Sequence, residues 1–515
     1  MQIVSTDAAG DIASGYPADG AALTLGSVVV DGTAHPAAQV RIPLATMNRH
    51  GLVAGATGTG KTKTLQLIAE QLSAAGVPVV MADVKGDLSG LSVPGEFGDA
   101  IGSRTADTGD DWTPAGFPVE FLSLGTEGLG VPVRATISSF GPILLSKVLG
   151  LNQTQESTLG LIFHWADQRG LPLLDLKDLR SVITFLTGDG GKAELKSLGA
   201  VSKTTAGVIL RALVNLEAEG AETFFGEPEL HPADLMRLEA QSRGVITLLE
   251  LGKDAARPVL FSTFLMWVLA DLFTELPEVG DLDKPKLVFV FDEAHLLFDG
   301  ASKAFLAQVE QTVKLIRSKG VGVFFCTQLP TDIPGGVLSQ LGARIQHALR
   351  AFTPDDEKAL KKTVRTFPKS SVYDLQSALT SLGTGEAVVT VLSERGAPTP
   401  VAWTRIRAPR SLMNSIGPDA ITAAAKASPL QREYGITIDR DSAYERLAAT
   451  LAPPPDLPPV PTDTGVPPMP APAEPGLLEQ VMDSPAFKSA MRSAGTVIGR
   501  EITRSIFGTG RRRRR

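Results

Sequence analysis

Apolar positions along this chain follow two rhythms. Short, nearly continuous runs recur at Gly51-Leu52-Val53-Ala54, Val77-Pro78-Val79-Val80-Met81-Ala82, Gly244-Val245-Ile246-Thr247-Leu248-Leu249 and Lys286-Leu287-Val288-Phe289-Val290-Phe291. Two more follow at Val321-Gly322-Val323-Phe324-Phe325-Cys326 and Arg344-Ile345-Gln346-His347-Ala348-Leu349. Strands buried on both faces read this way, because helices cover a parallel sheet from either side. Elsewhere apolar residues return every three or four positions, as in Ile143, Leu144, Val148, Leu149 and again in Leu159, Ile162, Phe163, Ala166. That period belongs to helices. The alternation of the two predicts an α/β fold with a mainly parallel central sheet.

The flanks differ in character. Residues 1–24 are small, polar and glycine-rich and are expected to form a loosely ordered arm. Alternation in Ser27-Val28-Val29-Val30 and Gln39-Val40-Arg41-Ile42 predicts a short N-terminal β segment. Residues 88–117 read as loop, and Val119-Glu120-Phe121-Leu122-Ser123 as a strand. Helical spacing dominates 138–240, through Arg180 to Leu186 and Thr205 to Leu216, and predicts a helical insertion in the core. Ala387 to Leu392 and Pro400 to Ile406 are expected to close the sheet edge. Residues 453–475 hold 11 prolines in 23 positions, a composition that makes an extended spacer rather than a packed core. Beyond it Phe487, Met491, Ala494, Ile498, Ile502 and Ile506 fall on one helical stripe, with Lys488, Arg492, Arg500 and Arg504 off it. Docking on the protein's own surface and docking on an anionic partner both fit this basic helix. The expected segments are a β arm over 1–48, a first core part over 49–137, the insertion over 138–240 and a second core part over 241–410. A helical extension over 411–452, the linker over 453–475 and the basic helix over 476–515 complete them.

The chemistry is concentrated where strands meet helices. Gly55-Ala56-Thr57-Gly58-Thr59-Gly60-Lys61-Thr62 follows an apolar run and opens into a helical pattern that begins at Lys63. That context defines a phosphate-binding loop. Its glycines let backbone N–H groups curl around a polyphosphate, and the helix start adds partial positive charge. Lys61 is expected on the β- and γ-phosphates and Thr62 on Mg²⁺, so Gly55 to Lys63 is the expected ATP-binding segment, with ATP and Mg²⁺ as cofactors. The run Leu287 to Phe291 ends in Asp292 and Glu293. Asp292 suits the hydrated shell of Mg²⁺, and Glu293 suits a general base for the attacking water. Gln328, ending the next apolar run, is expected to face the γ-phosphate. Asp83 reads equally as part of the Mg²⁺ region or as a local loop acceptor. His50, His295 and His347 lack metal-like spacing and read as packing or capping residues. A further cation on the transferring phosphoryl group is usual; Arg317, Arg344 and Arg350 are candidates, one of them acting on a neighbouring subunit's nucleotide.

Composition narrows the setting. The formal net charge of −7 becomes −12 without the terminal Arg511 to Arg515, so any nucleic-acid surface must be local. Residues 301–371 offer one, with 11 Lys/Arg against five Asp/Glu. The single Cys326 excludes an intramolecular disulfide and fits a reducing cytoplasm; it reads as a buried small hydrophobe. Residues 1–30 lack the basic start and apolar stretch of a secretory signal. The longest apolar block, Val259 to Phe273, is too short to span a bilayer. A cytoplasmic protein without a transmembrane segment is expected.

With these residues in place the chain resembles the HerA–FtsK superfamily of P-loop ATPases, and more narrowly the bacterial HerA-like, YjgR-type family. The narrower resemblance lies in Asn48-Arg49-His50-Gly51 before the loop, Asp83-Val84-Lys85-Gly86-Asp87-Leu88-Ser89-Gly90, Gly141-Pro142-Ile143-Leu144-Leu145-Ser146 and Gln340 through Arg350. It implies a RecA-like, ASCE-type core, a homo-hexameric ring and movement on double-stranded DNA through a central channel. It also implies that Arg317, ahead of Arg344, is the arginine inserted into the adjacent subunit's ATP site. Only about 48 residues precede the loop, too few for the β-barrel of archaeal HerA. The membrane helices and winged-helix end of FtsK lack counterparts. A DNA translocase, a protein-remodelling or secretion-type coupling ATPase, and a nucleotide-gated scaffold with the C-terminal arm docking a protein partner are the functions left open.

Overall fold

In a computed structural model, residues 7–451 are described, apart from 18–19, 84–85, 127, 192, 195–200, 251–257, 281 and 394. The expected linker over 453–475, the basic helix over 476–515 and the first six residues of the arm lie outside the described residues. The strands are β1 (Ala22–Val30), β2 (Thr33–Pro43), β3 (Gly51–Ala54), β4 (Val79–Asp83), β5 (Val119–Leu124) and β6 (Val131–Val133). They continue with β7 (Ile246–Glu250), β8 (Leu287–Phe291), β9 (Val321–Thr327), β10 (Ala343–Gln346), β11 (Glu386–Thr390) and β12 (Ala402–Ile406). All twelve join in one sheet, in the order β2-β1-β12-β11-β10-β3-β9-β8-β4-β7-β5-β6.

Every pairing from β10 across to β6 is parallel, and every pairing from β10 out to β2 is antiparallel. The parallel half is where the apolar runs fall, since both its faces are covered. Alternate residues of β8 and β9 feed two separate cores. Leu287, Phe289, Phe291, Val321, Val323 and Phe325 pack with the helical insertion on one face. Val288, Val290, Phe324 and Cys326 pack on the other with the helix Lys61–Ala74, through Leu65, Ile68 and Leu72. Burying such strands from both sides anchors their carboxyl ends, where the chemistry-bearing residues lie.

Between β6 and β7 run the helices Ile137–Val148, Gln153–Gln168, Leu176–Thr187 and Lys203–Ala218. Strong starts hold them: Asn152 and Asp175 each form a reciprocal capping box with the third helical residue. The last described helix, Ala443–Leu451, packs back on Leu176–Thr187. Among the described residues no helix is long and apolar enough to cross a membrane.

Three expectations need correction. Residues 7–24 are not a loose arm. A helix, Ala8–Ser14, buries Ala9 and Ile12, and buried Tyr16 brings its hydroxyl to 2.9 Å from the Val389 carbonyl oxygen. Buried Ala9, Ile12 and Tyr16, with the long-range contacts of the Tyr16 hydroxyl, dock this segment. The stretch 88–117 contains the helix Asp99–Thr108, packed by Ile101 against Trp112 and Ala408, a contact partner remote in sequence. Nor do β11 and β12 close the sheet. The β1–β2 hairpin adds beyond β12, through Gly26 opposite Ile406 and Val28 opposite Thr404, so the N-terminal β segment is the edge of the core sheet itself.

Candidate functional site

The loop after β3 turns on backbone angles that favour glycine. Gly55, Gly58 and Gly60 have φ of 151°, 80° and 110°. A Cβ on Gly55 would lie 2.5 Å from the His347 Cβ, and one on Gly60 would lie 3.1 Å from the Gly385 nitrogen. Both glycines are therefore required by crowding as well as by φ. The loop is tied down at several points: Gly55 N–H donates to Gln328 O (3.2 Å), Ala56 N–H to Ala348 O (2.8 Å), and Gly385 N–H to Thr59 O (3.0 Å). The helix Lys61–Ala74 starts at Gly60 without a side-chain cap. Its first amides thus have no intrahelical acceptor and favour an anion. The Lys61 ammonium donates to Gly55 O (2.7 Å) and Ala56 O (3.1 Å), which holds it over the loop.

The twin acids end β8, separated from the loop strand by β9 alone, or about 10 Å at the usual strand spacing. Asp292 Oδ1 accepts the Glu293 N–H at 2.9 Å, and Ala294 N–H donates to Cys326 O at 2.8 Å. Cys326 is fully buried near the end of β9, between the loop strand and the acid strand. Burial first, then the Asp292 carboxylate, pushes its thiol well above the ordinary range, while the Lys61 ammonium pulls the other way and Glu293 adds to the rise. Lys61, past the end of the loop strand, and the twin acids, past the end of β8, thus follow the two strands that flank β9. Glu293 has a left-handed φ of 48°, uncommon for a residue with a side chain and typical of functional sites. Its Oε2 lies 3.5 Å from His295 Nδ1. Hard oxygen donors, the Thr62 hydroxyl and the Asp292 carboxylate, are of the kind Mg²⁺ takes, and the uncapped helix start suits a polyphosphate. The residues fit both groups.

Other candidates fall on either side of this cluster. Gln328 is exposed just past β9, its backbone joined to Gly55. Lys63 points away from the loop mouth, its Nζ 2.6 Å from Met413 O and 3.2 Å from Gln66 Oε1. Asp83 serves the local loop, accepting from Gly86 N (2.8 Å), Asp87 N (3.2 Å) and Leu88 N (3.0 Å). Arg344 turns its guanidinium to the carbonyls of Thr366 and Leu338, away from the loop. Arg317 is exposed just before β9, at the amino edge of the sheet, remote from its own chain's loop. Arg350 instead reaches the loop, its Nη2 3.5 Å from Thr57 O.

Two of the three histidines read as packing residues sit at the site. His347 lies directly behind the loop: its N–H donates to Ala54 O (2.7 Å), and its Nε2 is 3.0 Å from Thr64 Oγ1. Burial, with the nearby Lys61 charge, pushes its imidazole down to about 4. It is therefore a neutral packing element that shapes the loop. Position just past β10, the strand beside the loop strand, was the one signal that could have marked it. His295 faces Glu293, and nothing in its spacing marked that role. His50 remains structural, accepting from Val323 N–H at 3.0 Å.

The sequence model of the helicase HerA-like C-terminal family matches residues 30–515. The chain belongs to this family. As a HerA-like protein it is a P-loop ATPase, built on a RecA-like core. Solved structures of the plasmid coupling protein TrwB resemble this HerA-like chain in fold. One, in complex with the ATP analogue ADPNP, shares 16% identity over 79% of this chain and 94% of that one, with a TM-score of 0.52. Another, in complex with ADP and Mg²⁺, shares 16% identity over 79% of this chain and 93% of that one, also at 0.52. VirB4 of Thermoanaerobacter pseudethanolicus shares 16% identity over 76% and 97%, at a TM-score of 0.47. No curated protein matches the sequence.

Proposed function

We propose that this HerA-like ATPase is a cytoplasmic homo-hexameric motor that hydrolyses ATP and moves on double-stranded DNA. The observation that carries hydrolysis is the placement of the phosphate loop and the twin acids at the ends of β3 and β8, the two parallel strands that flank β9. Amides of the loop from Gly55 to Thr62 cradle the phosphates, and Lys61 leaves its loop carbonyls for the β- and γ-phosphate oxygens. Thr62 and Asp292 hold Mg²⁺. When bound, that ion neutralises charge building on the phosphate oxygens. Glu293, oriented by its unusual φ and by His295, takes the proton of the attacking water. Gln328, joined to the loop through its own carbonyl, couples the γ-phosphate to β9.

Arg317 serves the neighbouring subunit. Seven residues of β9 separate its edge of the sheet from the loop edge, roughly 23 Å at strand rise, so it has no path to its own nucleotide. DNA as the track is supported by the basic excess over residues 301–371 and by the family's HerA-like helicase character. The fold likeness to TrwB, described as a bacterial conjugative coupling protein, and the net charge of −7 favour a second reading, a coupling ATPase that moves protein.

ATPase rate with and without duplex DNA, on a sample of known mass, separates the two. DNA translocation predicts stimulation that weakens with salt, because lysine and arginine contacts displace phosphate counterions. A flat rate at saturating DNA and low salt rejects the DNA reading in favour of the protein-moving one.

A further inference from the structure

Arg317, Arg344 and Arg350 all follow the acid strand, yet the fold separates them. Arg317 is at the wrong edge of the sheet for its own loop, and Arg344 is turned into neighbouring carbonyls. Arg350 alone of these three contacts the phosphate loop of its own chain, with Nη2 3.5 Å from Thr57 O. We infer that Arg350 is a catalytic residue acting in cis, a cation supplied by each subunit to the γ-phosphate of its own ATP.

Three features support this. The chain leading to Arg350 is fixed on two sides, by Ala56 N–H donating to Ala348 O (2.8 Å) and Leu349 N–H donating to Leu379 O (2.8 Å). The guanidinium therefore starts from a held backbone while its own side chain stays exposed. Its partner, the Thr57 carbonyl, is neutral and the contact is long. An anionic phosphate oxygen at the same loop is a stronger acceptor, since charge-assisted hydrogen bonds are shorter and stronger. Thr57 itself is exposed on the loop, in a motif whose backbone cradles phosphates and whose lysine reaches the γ-phosphate. In the reaction, water oxygen bonds to the γ-phosphorus as the β–γ bridging oxygen leaves on ADP. The water proton passes to Glu293, and Arg350 contributes charge without exchanging an atom.

This inference rests on the ATP-hydrolysing reading, and the experiment keeps the two apart. Full-length wild type, Arg350→Ala and Arg350→Lys are assayed for Mg·ATP turnover, and ADP affinity is measured by fluorescent-nucleotide displacement. Arg350→Ala should lower turnover about 1,000-fold with ADP affinity unchanged, and Arg350→Lys should recover part of the loss. Arg350→Ala is then mixed with Lys61→Ala. A cis residue gives no recovery, because no subunit carries both groups. Recovery in the mixture, or wild-type turnover by Arg350→Ala, overturns the inference. An equal loss of ADP affinity also overturns it, since that marks a structural role. Absence of turnover in wild type defeats the ATPase reading instead. Mixing Arg317→Ala with Lys61→Ala tests the trans arginine separately, and there recovery is expected.

Discussion

Glu293 and His295 meet at the turn that follows β8, Oε2 to Nδ1 at 3.5 Å, while the Glu293 backbone holds a φ of 48°. A side chain oriented from both its backbone and its neighbour suits a proton acceptor. Glu293→Gln keeps the shape and removes the base. Turnover is expected to fall at least about 100-fold, with ATP affinity retained, as measured by steady-state hydrolysis beside nucleotide binding. Unchanged hydrolysis in the purified variant would remove Glu293 from its role.

Gly60 is fixed by φ 110° and by the Gly385 backbone 3.1 Å from where a Cβ would stand. Gly60→Ala is expected to shift the loop, weaken ATP binding at least about tenfold and cost about 1–2 kcal/mol of stability. Nucleotide titration and thermal melting check both. Wild-type affinity would mean that the Thr59–Gly385 contact gives way freely.

Asp83 and Glu250 are partners in register on β4 and β7, and both are buried. Burial, then the charge of Asp83, pushes the Glu250 carboxyl from 4.5 up to about 7, and burial raises Asp83 to about 6. A raised carboxyl pKa means that the folded state holds a proton the unfolded chain gives up. The cost of ionisation is absent below the unfolded value and complete above the folded one. Stability should therefore fall between about pH 5 and about pH 8. Glu250→Gln should flatten that slope and be more stable than wild type at the alkaline end by roughly 2 kcal/mol. Denaturant titrations across pH provide the measurement, and parallel curves for the two proteins would refute the assignment.

Tyr16 pins the N-terminal helix to the antiparallel half of the sheet, its hydroxyl within hydrogen-bonding distance of Val389 O and Pro400 O. Tyr16→Phe leaves those buried carbonyls without this donor and should cost about 1–2 kcal/mol. ATP turnover per folded molecule should be unchanged, since the partners of the Tyr16 hydroxyl, Val389 and Pro400, are not part of the loop. A melting temperature equal to wild type would count against the contact.

The parallel half of the fold and the phosphate loop were legible because their signals are local. Leu287 to Phe291 and Val321 to Thr327 announce buried strands, and the Gly-Lys-Thr spacing needs no partner to be read. What escaped depends on distant contacts. Helix Ala8–Ser14 is nearly featureless in sequence, and its anchor on Val389 and Pro400 comes from the far end of the chain. Helix Asp99–Thr108 likewise leans on Ala408. Lys63 reads as part of the nucleotide segment, but Met413, some 350 positions later, redirects it. His347 and Arg350 gained meaning only once β10 was seen beside β3. Sheet order is decided by tertiary packing, and residue spacing carries little of it.

Cys326, the one cysteine of the chain, is sealed inside the sheet between the loop strand and the acid strand. Alkylating dyes will pass over it for as long as the protein stays folded. A fluorophore can therefore be attached through a single added surface cysteine, with the native thiol left intact, and conformational changes followed in an otherwise unaltered enzyme. Reaction at the native sulfur would in turn be a clean optical alarm for unfolding of the catalytic centre.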